Sequence, residues 1–198
     1  MGSLAPFWYK KPRVKPLAIP LIQPDLFSDF EHSSDLDVFP TTYGGWSIAG
    51  GRLTGAGAGG FDVTAVSCFQ GRDCFAEAYV TVEAEVNYSW AGLFVRHNGL
   101  PSPNMRGYYF NLQRDASGNH RANLSKPYVA SLAKVAYPWV AGTPYKLRVE
   151  VAAATIRCYI NDALVIGPIV DSDYTSGYVS LNCYNVNAGF DNLTVKRL

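Results

Sequence analysis

The chain has 198 residues, of which 48% are hydrophobic and only 17% are charged. This composition excludes a disordered chain, and the length suits one domain preceded by a short terminal segment. No apolar stretch approaches the roughly 20 residues that a membrane-spanning helix needs, so we expect no membrane insertion.

Residues 1–24 form a basic, proline-rich segment that we expect to be an extended arm. The segment carries a charge of +4, and a net charge of +1 for the whole chain therefore leaves −3 for the rest. Its prolines recur every fourth residue from Pro12 to Pro24, which excludes a regular helix. We predict that the arm docks on other protein subunits and that the protein is oligomeric; the alternative is an arm packed on its own domain. The residues given this assembly role are Phe7, Trp8, Tyr9, Lys10, Lys11, Arg13 and Lys15.

The same prolines interrupt the apolar residues near the N-terminus, so the sequence indicates no secretion signal. We therefore expect synthesis in the cytoplasm and a final place in a virion or another assembled particle. In a reducing compartment, the four cysteines are expected to be largely buried thiols. Cys68 and Cys74 flank a short turn, which leaves a disulfide between them open as an alternative.

Strand signals dominate the chain after an irregular stretch that ends near Pro40. Residues 75–86 alternate most clearly, with alanine and valine on one face and Glu77, Glu83 and Glu85 on the other. The glycine-rich segment 55–60 lacks the Lys-Ser/Thr ending of a phosphate loop, and we interpret it as a hairpin loop. Ten or more predicted strands, separated by turn residues and without a convincing helix, indicate an all-β domain over residues 25–198.

Several motifs, taken in their order and spacing, resemble those of concanavalin A-like lectin and glucanase domains, a group that includes laminin G-like domains. The resemblance implies a concanavalin A-like jelly roll over residues 27–196, with two antiparallel sheets packed as a sandwich. It does not imply one function, because lectins, carbohydrate-binding modules, glycosidases and virion domains share this fold. The motifs lie at residues 29–31, 45–48, 51–53, 91–96, 107–110, 145–150, 158–161, 176–181 and 188–195.

The resemblance also implies a possible structural calcium ion, which in such domains often links the N-terminal segment to the last strand. Asp29 and Asp191 occupy the matching motifs and would supply carboxylate oxygens, the ligand type that calcium prefers. The alternative is that Asp191 caps a turn and that Asp29 is solvated. No other cofactor is indicated.

We assign no catalytic residue. Glycosidases of this fold need two facing carboxylates, and the acidic run that supplies them in the related glucanases is missing here. We interpret Glu83 and Glu85, the nearest candidates, as part of a solvated strand face. His32, His97 and His120 form neither a nucleophilic triad nor a zinc-ligand spacing and are interpreted as surface or turn residues.

The strand alternation predicts a second sheet face, away from the core, that is rich in aromatic, amide and arginine side chains. Such side chains hold sugars by stacking and by hydrogen bonds to hydroxyl groups, although an ordinary solvated face is the alternative. The sandwich shows no basic stripe, so we expect no nucleic-acid partner. The candidate glycan-binding residues are Trp90, Arg96, Tyr109, Asn111, Gln113, Asn123, Asn182 and Tyr184.

These observations favour a non-catalytic binding or structural module, such as a virion capsid-decoration protein or a tail-fibre accessory protein. In this interpretation the arm attaches the module to an assembly, and the sandwich presents a glycan- or surface-binding face. The alternatives are a glycoside hydrolase or lyase of the same fold and a sandwich that only packs against its neighbours.

Overall fold

The computed structural model describes residues 26–198, which are almost entirely β-strands and turns. One short 3-10 helix, Ser33–Val38, interrupts the strands, and no helix in the described part of the chain is long and apolar enough to span a bilayer. The strands are β1 Leu26–Ser28, β2 Thr41–Tyr43, β3 Trp46–Ala49, β4 Arg52–Ala56, β5 Asp62–Gly71, β6 Cys74–Val82, β7 Ser89–His97, β8 Tyr108–Arg114, β9 His120–Lys126, β10 Ala130–Ala136, β11 Pro144–Ala152, β12 Thr155–Ile160, β13 Ala163–Val170, β14 Gly177–Tyr184 and β15 Asn187–Arg197.

The strands form two antiparallel sheets. The first sheet runs β13-β12-β11-β6-β15-β4-β3, with β1 paired to the far end of β15, and the second runs β10-β9-β8-β7-β14-β5-β2. Central pairs such as β6 with β15 and β7 with β14 join strands that are distant in the chain. This is the predicted jelly-roll sandwich, and the all-β prediction is confirmed.

The core lies between the two sheets and is built from the alternation seen in the sequence. On β6, Ala76, Ala78, Val80 and Val82 are all buried, as predicted. Burial of such faces is the main favourable contribution to folding, at about 25 cal/mol for each Å² of apolar surface removed from water.

The predicted strand over residues 75–86 is too long, because β6 ends at Val82. Glu83 and Glu85 therefore do not belong to a strand face with Glu77. Glu83 pairs with Arg52 at 3.1 Å, and Glu85 pairs with Arg114 beside the β8–β9 turn. Each carboxylate is therefore paired with an arginine side chain.

None of the four cysteines forms a disulfide, in agreement with the predicted thiols. Cys74, Cys158 and Cys183 are buried, whereas Cys68 is exposed. Burial raises the pKa of Cys74 to about 11 and that of Cys183 to about 12, so these thiols are protonated at neutral pH and behave as small apolar side chains.

Candidate functional site

The outer face of the second sheet carries three rows of side chains that run across its central strands. The rows arise because directly paired residues on adjacent antiparallel strands point to the same face. Across β14, β7, β8 and β9 in turn, they are Tyr184, Trp90, Gln113 and Arg121; Asn182, Gly92, Asn111 and Asn123; and Ser180, Phe94, Tyr109 and Ser125.

A cavity of about 500 Å³ lies on this face. Its volume falls within the range of sites that hold small ligands. Six of the eight candidate glycan-binding residues line it, and these are Trp90, Tyr109, Asn111, Gln113, Asn123 and Tyr184. The structure thus brings most of the candidates into one site.

One wall of the cavity is a cluster of three aromatic rings. Trp90 stacks on Tyr184 with ring centroids 4.4 Å apart and planes inclined by 20°. Tyr88 packs edge-on against both rings, at 5.3 Å from Trp90 and 5.9 Å from Tyr184. Tyr184 covers the indole on the β14 side, and the other indole face lies on the side of β8, where Gln113 is the paired residue. That face is the surface on which a sugar ring could stack.

The floor of the cavity depends on a glycine in the middle of the sheet. The hydroxyl of Tyr109 on β8 donates to the carbonyl of Asn182 on β14 over 3.0 Å, so the side chain crosses the intervening strand β7. The residue of β7 between them is Gly92, which has no side chain to obstruct the crossing. Tyr109 also stacks on Phe94 at 4.2 Å, and this packing fixes the ring in place.

Two amide oxygens at the cavity are left without partners. Asn111 Oδ1 and Gln113 Oε1 are enclosed by protein, and neither accepts a hydrogen bond from any described residue. Buried amide groups in proteins are normally paired, and an unpaired one is unfavourable by about 1–3 kcal/mol. Asn123 differs, because its Oδ1 accepts a hydrogen bond from Ser131 at 3.2 Å. Both residues line the cavity, so a turn of either amide group would bring its oxygen within reach of a polar ligand.

Charged groups contribute to the cavity at opposite ends. Asp62, at the start of β5, accepts a hydrogen bond from Asn182 Nδ2 at 2.6 Å, and burial raises the pKa of this carboxyl group. Lys126, at the end of β9, donates to Asp171 and to Asp173, each at 2.6 Å. These hydrogen bonds raise the pKa of Lys126, which keeps it charged but already paired.

Arg96, one of the candidate glycan-binding residues, lies outside the cavity. The register of β7 with β14 shifts near its end, and Arg96 adopts a φ of 52° that turns its side chain away from the row of Phe94. The buried guanidinium instead pairs with Asp73 at 3.1 Å and donates to the carbonyls of Arg72, Ala153 and Tyr174. Arg96 therefore joins three loops and has a structural role.

His97 is buried, so its interpretation as a surface or turn residue is wrong. The bulge at Arg96 returns His97 to the outer face, where its ring packs at a tilt against Phe94, with centroids 4.6 Å apart, and its Nδ1 contacts Ser180. Burial lowers the pKa of His97 to about 4. The other two histidines agree better with the interpretation, since His32 precedes the 3-10 helix and half-buried His120 stacks on Trp139.

Asn182, another candidate, lies on the predicted face but does not line the cavity. Its amide is fully buried and donates to the Val63 carbonyl and to Thr64 Oγ1, as well as to Asp62. Asn182 thus fixes the position of a cavity residue instead of facing a ligand itself.

Several cavity residues lie outside the predicted set because they come from strand ends and loops. Tyr88 has the same parity as Trp90, so extending the alternation by two residues would have found it. Met105 lies in the β7–β8 loop and Tyr128 in the β9–β10 turn, where no periodic signal exists. Asp62 and Lys126 were missed because each lies at the end of its strand.

The residues proposed for calcium do not fit that ion. Asp29 Oδ1 accepts the backbone amide of Glu31, and Asp191 Oδ1 accepts that of Asn192, so each carboxylate caps a local turn. Within residues 26–198, no three His, Cys, Asp or Glu side chains come together as a metal site. Calcium usually takes six to eight oxygen ligands, which this donor set does not approach.

The part of the cavity lining that the structure describes does not supply the carboxylate pair of a glycosidase. Among the described residues that line it, Asp62 is the one acidic side chain. Glycosidases need two carboxyl groups about 5–9 Å apart on either side of the scissile bond.

The fold is that of galectin-like and concanavalin A-like jelly-roll sandwiches. A solved carbohydrate-binding module, CBM66 from Bacillus subtilis, matches with a TM-score of 0.67 and 23% identity, over 79% of this chain and 94% of that chain. The metal-free carbohydrate recognition domain of Emp46p matches with a TM-score of 0.65 and 8% identity, over 83% of this chain and 91% of that chain.

A third similar structure belongs to a much longer enzyme. Xylan β-1,4-xylosidase from Bacillus halodurans C-125 matches with a TM-score of 0.64 and 13% identity, over 99% of this chain but 41% of that chain. No protein-family model and no curated protein sequence matches this chain. At these identities, the structural likeness establishes the fold and leaves function to be argued from the site.

Proposed function

We propose that the protein is a non-catalytic carbohydrate-binding module that holds a glycan in the cavity of the second sheet. The proposal rests on one observation, that an aromatic wall and two unpaired amides line the same cavity. A sugar ring would stack on the free face of Trp90, and its hydroxyl groups would hydrogen-bond to Asn111 and Gln113. The structural likeness to a carbohydrate-binding module and a carbohydrate recognition domain supports this proposal.

The test is a binding screen against neutral and charged polysaccharides, followed by calorimetry on the glycan that binds best. Trp90→Ala removes the stacking surface and should weaken binding by at least about tenfold, in line with the energetic weight of buried aromatic anchors. Tyr79→Ala is the matched control, because Tyr79 is 40% exposed on the first sheet, away from the cavity. Equal affinity of the Trp90 variant and the wild type would exclude the cavity as the binding site.

The alternative, a glycoside hydrolase or lyase, has weaker support from the site. It would require Asp62 to act with a second acid that the described lining does not contain. A glycan that binds and stays intact over long incubation would favour the binding module.

We further propose that residues 1–24 attach this module to a larger assembly, as in a virion capsid-decoration or tail-fibre accessory protein. These residues lie outside the described part of the chain, so the support comes from sequence alone. A segment of charge +4 precedes a domain of charge −3, and the segment contains three consecutive aromatic residues, Phe7, Trp8 and Tyr9.

A further inference from the structure

We propose that the cavity selects neutral, hydroxyl-rich glycans and discriminates against glycans that carry carboxylate or sulfate groups. The inference rests on the proposed function and specifies the ligand class of the same site. It follows from the placement of a paired lysine, a carboxylate and unpaired amide oxygens around one cavity.

Within residues 26–198, the lining of the cavity offers no unpaired cation to an acidic sugar. Among the described residues of the lining, Lys126 is the one lysine or arginine. Its side chain is only 9% exposed, and its ammonium group already donates to Asp171 and Asp173. Recognition of a carboxylate or sulfate normally relies on charge-assisted hydrogen bonds from an available lysine or arginine. Lys126 with its two partners has a net negative charge.

Asp62 makes an acidic ligand still less favourable. One oxygen of this carboxylate accepts the hydrogen bond from Asn182, and the residue lines the cavity at the end near Tyr184. A like charge brought into the same partly desolvated cavity is repelled more strongly than in bulk water. The carboxylate can, however, accept a hydrogen bond from a sugar hydroxyl group.

The unpaired amides match hydroxyl groups in particular. The oxygen and nitrogen of an Asn or Gln amide exchange places when the group turns over, so either atom can face a ligand. A hydroxyl group both donates and accepts, and it satisfies Asn111 and Gln113 in either orientation. A carboxylate only accepts, so it meets these amides only through their nitrogen atoms and leaves their oxygens unpaired.

In the described part of the chain, three other cations neighbour residues of the lining without lining the cavity themselves. Arg106 donates to the carbonyls of Pro103 and Met105, and Arg121 pairs with Asp115 at 3.4 Å. Lys134 is exposed on β10, opposite Asn123. Arg106 and Arg121 already have partners, and Lys134 lies in solvent. The attraction of a surface cation for an anionic sugar is weak and is screened by salt.

The experiment measures full-chain binding to matched pairs of oligosaccharides that differ only in one carboxylate or sulfate group. Wild-type protein should bind the neutral member of each pair at least about tenfold more tightly. The repulsion between two negative unit charges at short range corresponds to roughly that factor in affinity. Asp62→Asn should reduce this ratio by about the same factor. Glu77→Gln, an identical charge change on the first sheet, is the matched control and should leave the ratio unchanged.

A second variant keeps the selectivity testable if Asp62→Asn does not fold. Asp173→Asn changes a side chain that is 58% exposed and removes one of the two acidic partners of Lys126. It should also reduce the ratio of neutral to charged affinity, and circular dichroism checks that each variant is folded.

The outcomes separate the two proposals. Charged glycans bound as tightly as their neutral counterparts, with loss of binding in Trp90→Ala, would overturn the selectivity and leave the binding module intact. A ratio unaffected by both Asp62→Asn and Asp173→Asn would likewise overturn it. Failure to bind any oligosaccharide or polysaccharide would overturn the proposed function, and the selectivity with it.

Discussion

His97 shows how one buried side chain can couple the stability of the fold to pH. Its ring lies beneath Phe94 and contacts Ser180, and its Nε2 has no partner among the described residues. A charged imidazolium would have to be desolvated there, which is why the pKa falls to about 4 from an ordinary value of 6.5. The folded protein therefore keeps His97 neutral at mildly acidic pH.

We predict that the free energy of unfolding falls as the pH is lowered from 6.5 toward 4. In this window the unfolded chain binds a proton at His97 that the folded chain does not, so acid favours unfolding, by at most about 3 kcal/mol for this group. Urea unfolding at pH 7 and at pH 4.5 measures the effect. His97→Gln should show a smaller pH dependence than the wild type, and an equal dependence would contradict the assignment.

At the scale of single elements, the second sheet depends on the absence of a side chain at Gly92. A Cβ atom there would lie 2.1 Å from the carbonyl oxygen of Phe110 and 2.6 Å from the Cα atom of Asn111. Both are backbone atoms of the neighbouring strand, so relief would require the strands to separate. The same glycine lets Tyr109 cross β7.

We predict that Gly92→Ala lowers the free energy of unfolding by about 1–3 kcal/mol, the usual effect of overpacking in a well-packed region. Gly45→Ala is the control, because the nearest atom to its added methyl group is Ala56 Cβ at 3.3 Å. Urea unfolding of both variants measures the difference. Equal stabilities would mean that β7 and β8 adjust freely around position 92.

The alternation of side chains predicted the elements well wherever strands are regular. Trp90, Tyr109, Asn111 and Gln113 reach one cavity because period-two order along β7 and β8 needs only the backbone geometry of a strand. The same reasoning failed at Arg96, where one left-handed residue shifts the parity. A sequence gives no period-two signal for such a bulge, since an arginine carries no preference for positive φ.

The prediction also failed where long-range contacts decide the outcome. Asn182 turns toward Asp62 and Thr64, which are more than a hundred residues away in the chain. Glu83 and Glu85 lie past a strand end that nothing in their local pattern marks. The jelly-roll topology itself came from resemblance to known domains, because alternation does not determine which distant strands pair.

At the scale of the whole molecule, the chain divides into a basic segment and an acidic domain. We predict that the full chain forms oligomers and that a chain starting at Asp25 is a monomer, because the shortened chain has lost the aromatic and basic residues that would dock on a neighbour. Size-exclusion chromatography with light scattering compares the two. Replacement of Phe7, Trp8 and Tyr9 by serine separates an apolar contact from a charge effect. Two monomeric samples would show that the arm does not drive self-association.

The three tryptophans of the described residues make the molecule its own optical probe. Trp139 is 1% exposed, Trp46 packs against Phe190, and Trp90 alone stands at the cavity. A ligand stacked on Trp90 would shift or quench the emission of that one indole and leave the other two as an internal reference. Starting the chain at Asp25 removes Trp8, so the remaining signal of the domain would report occupancy directly, without labelling either partner.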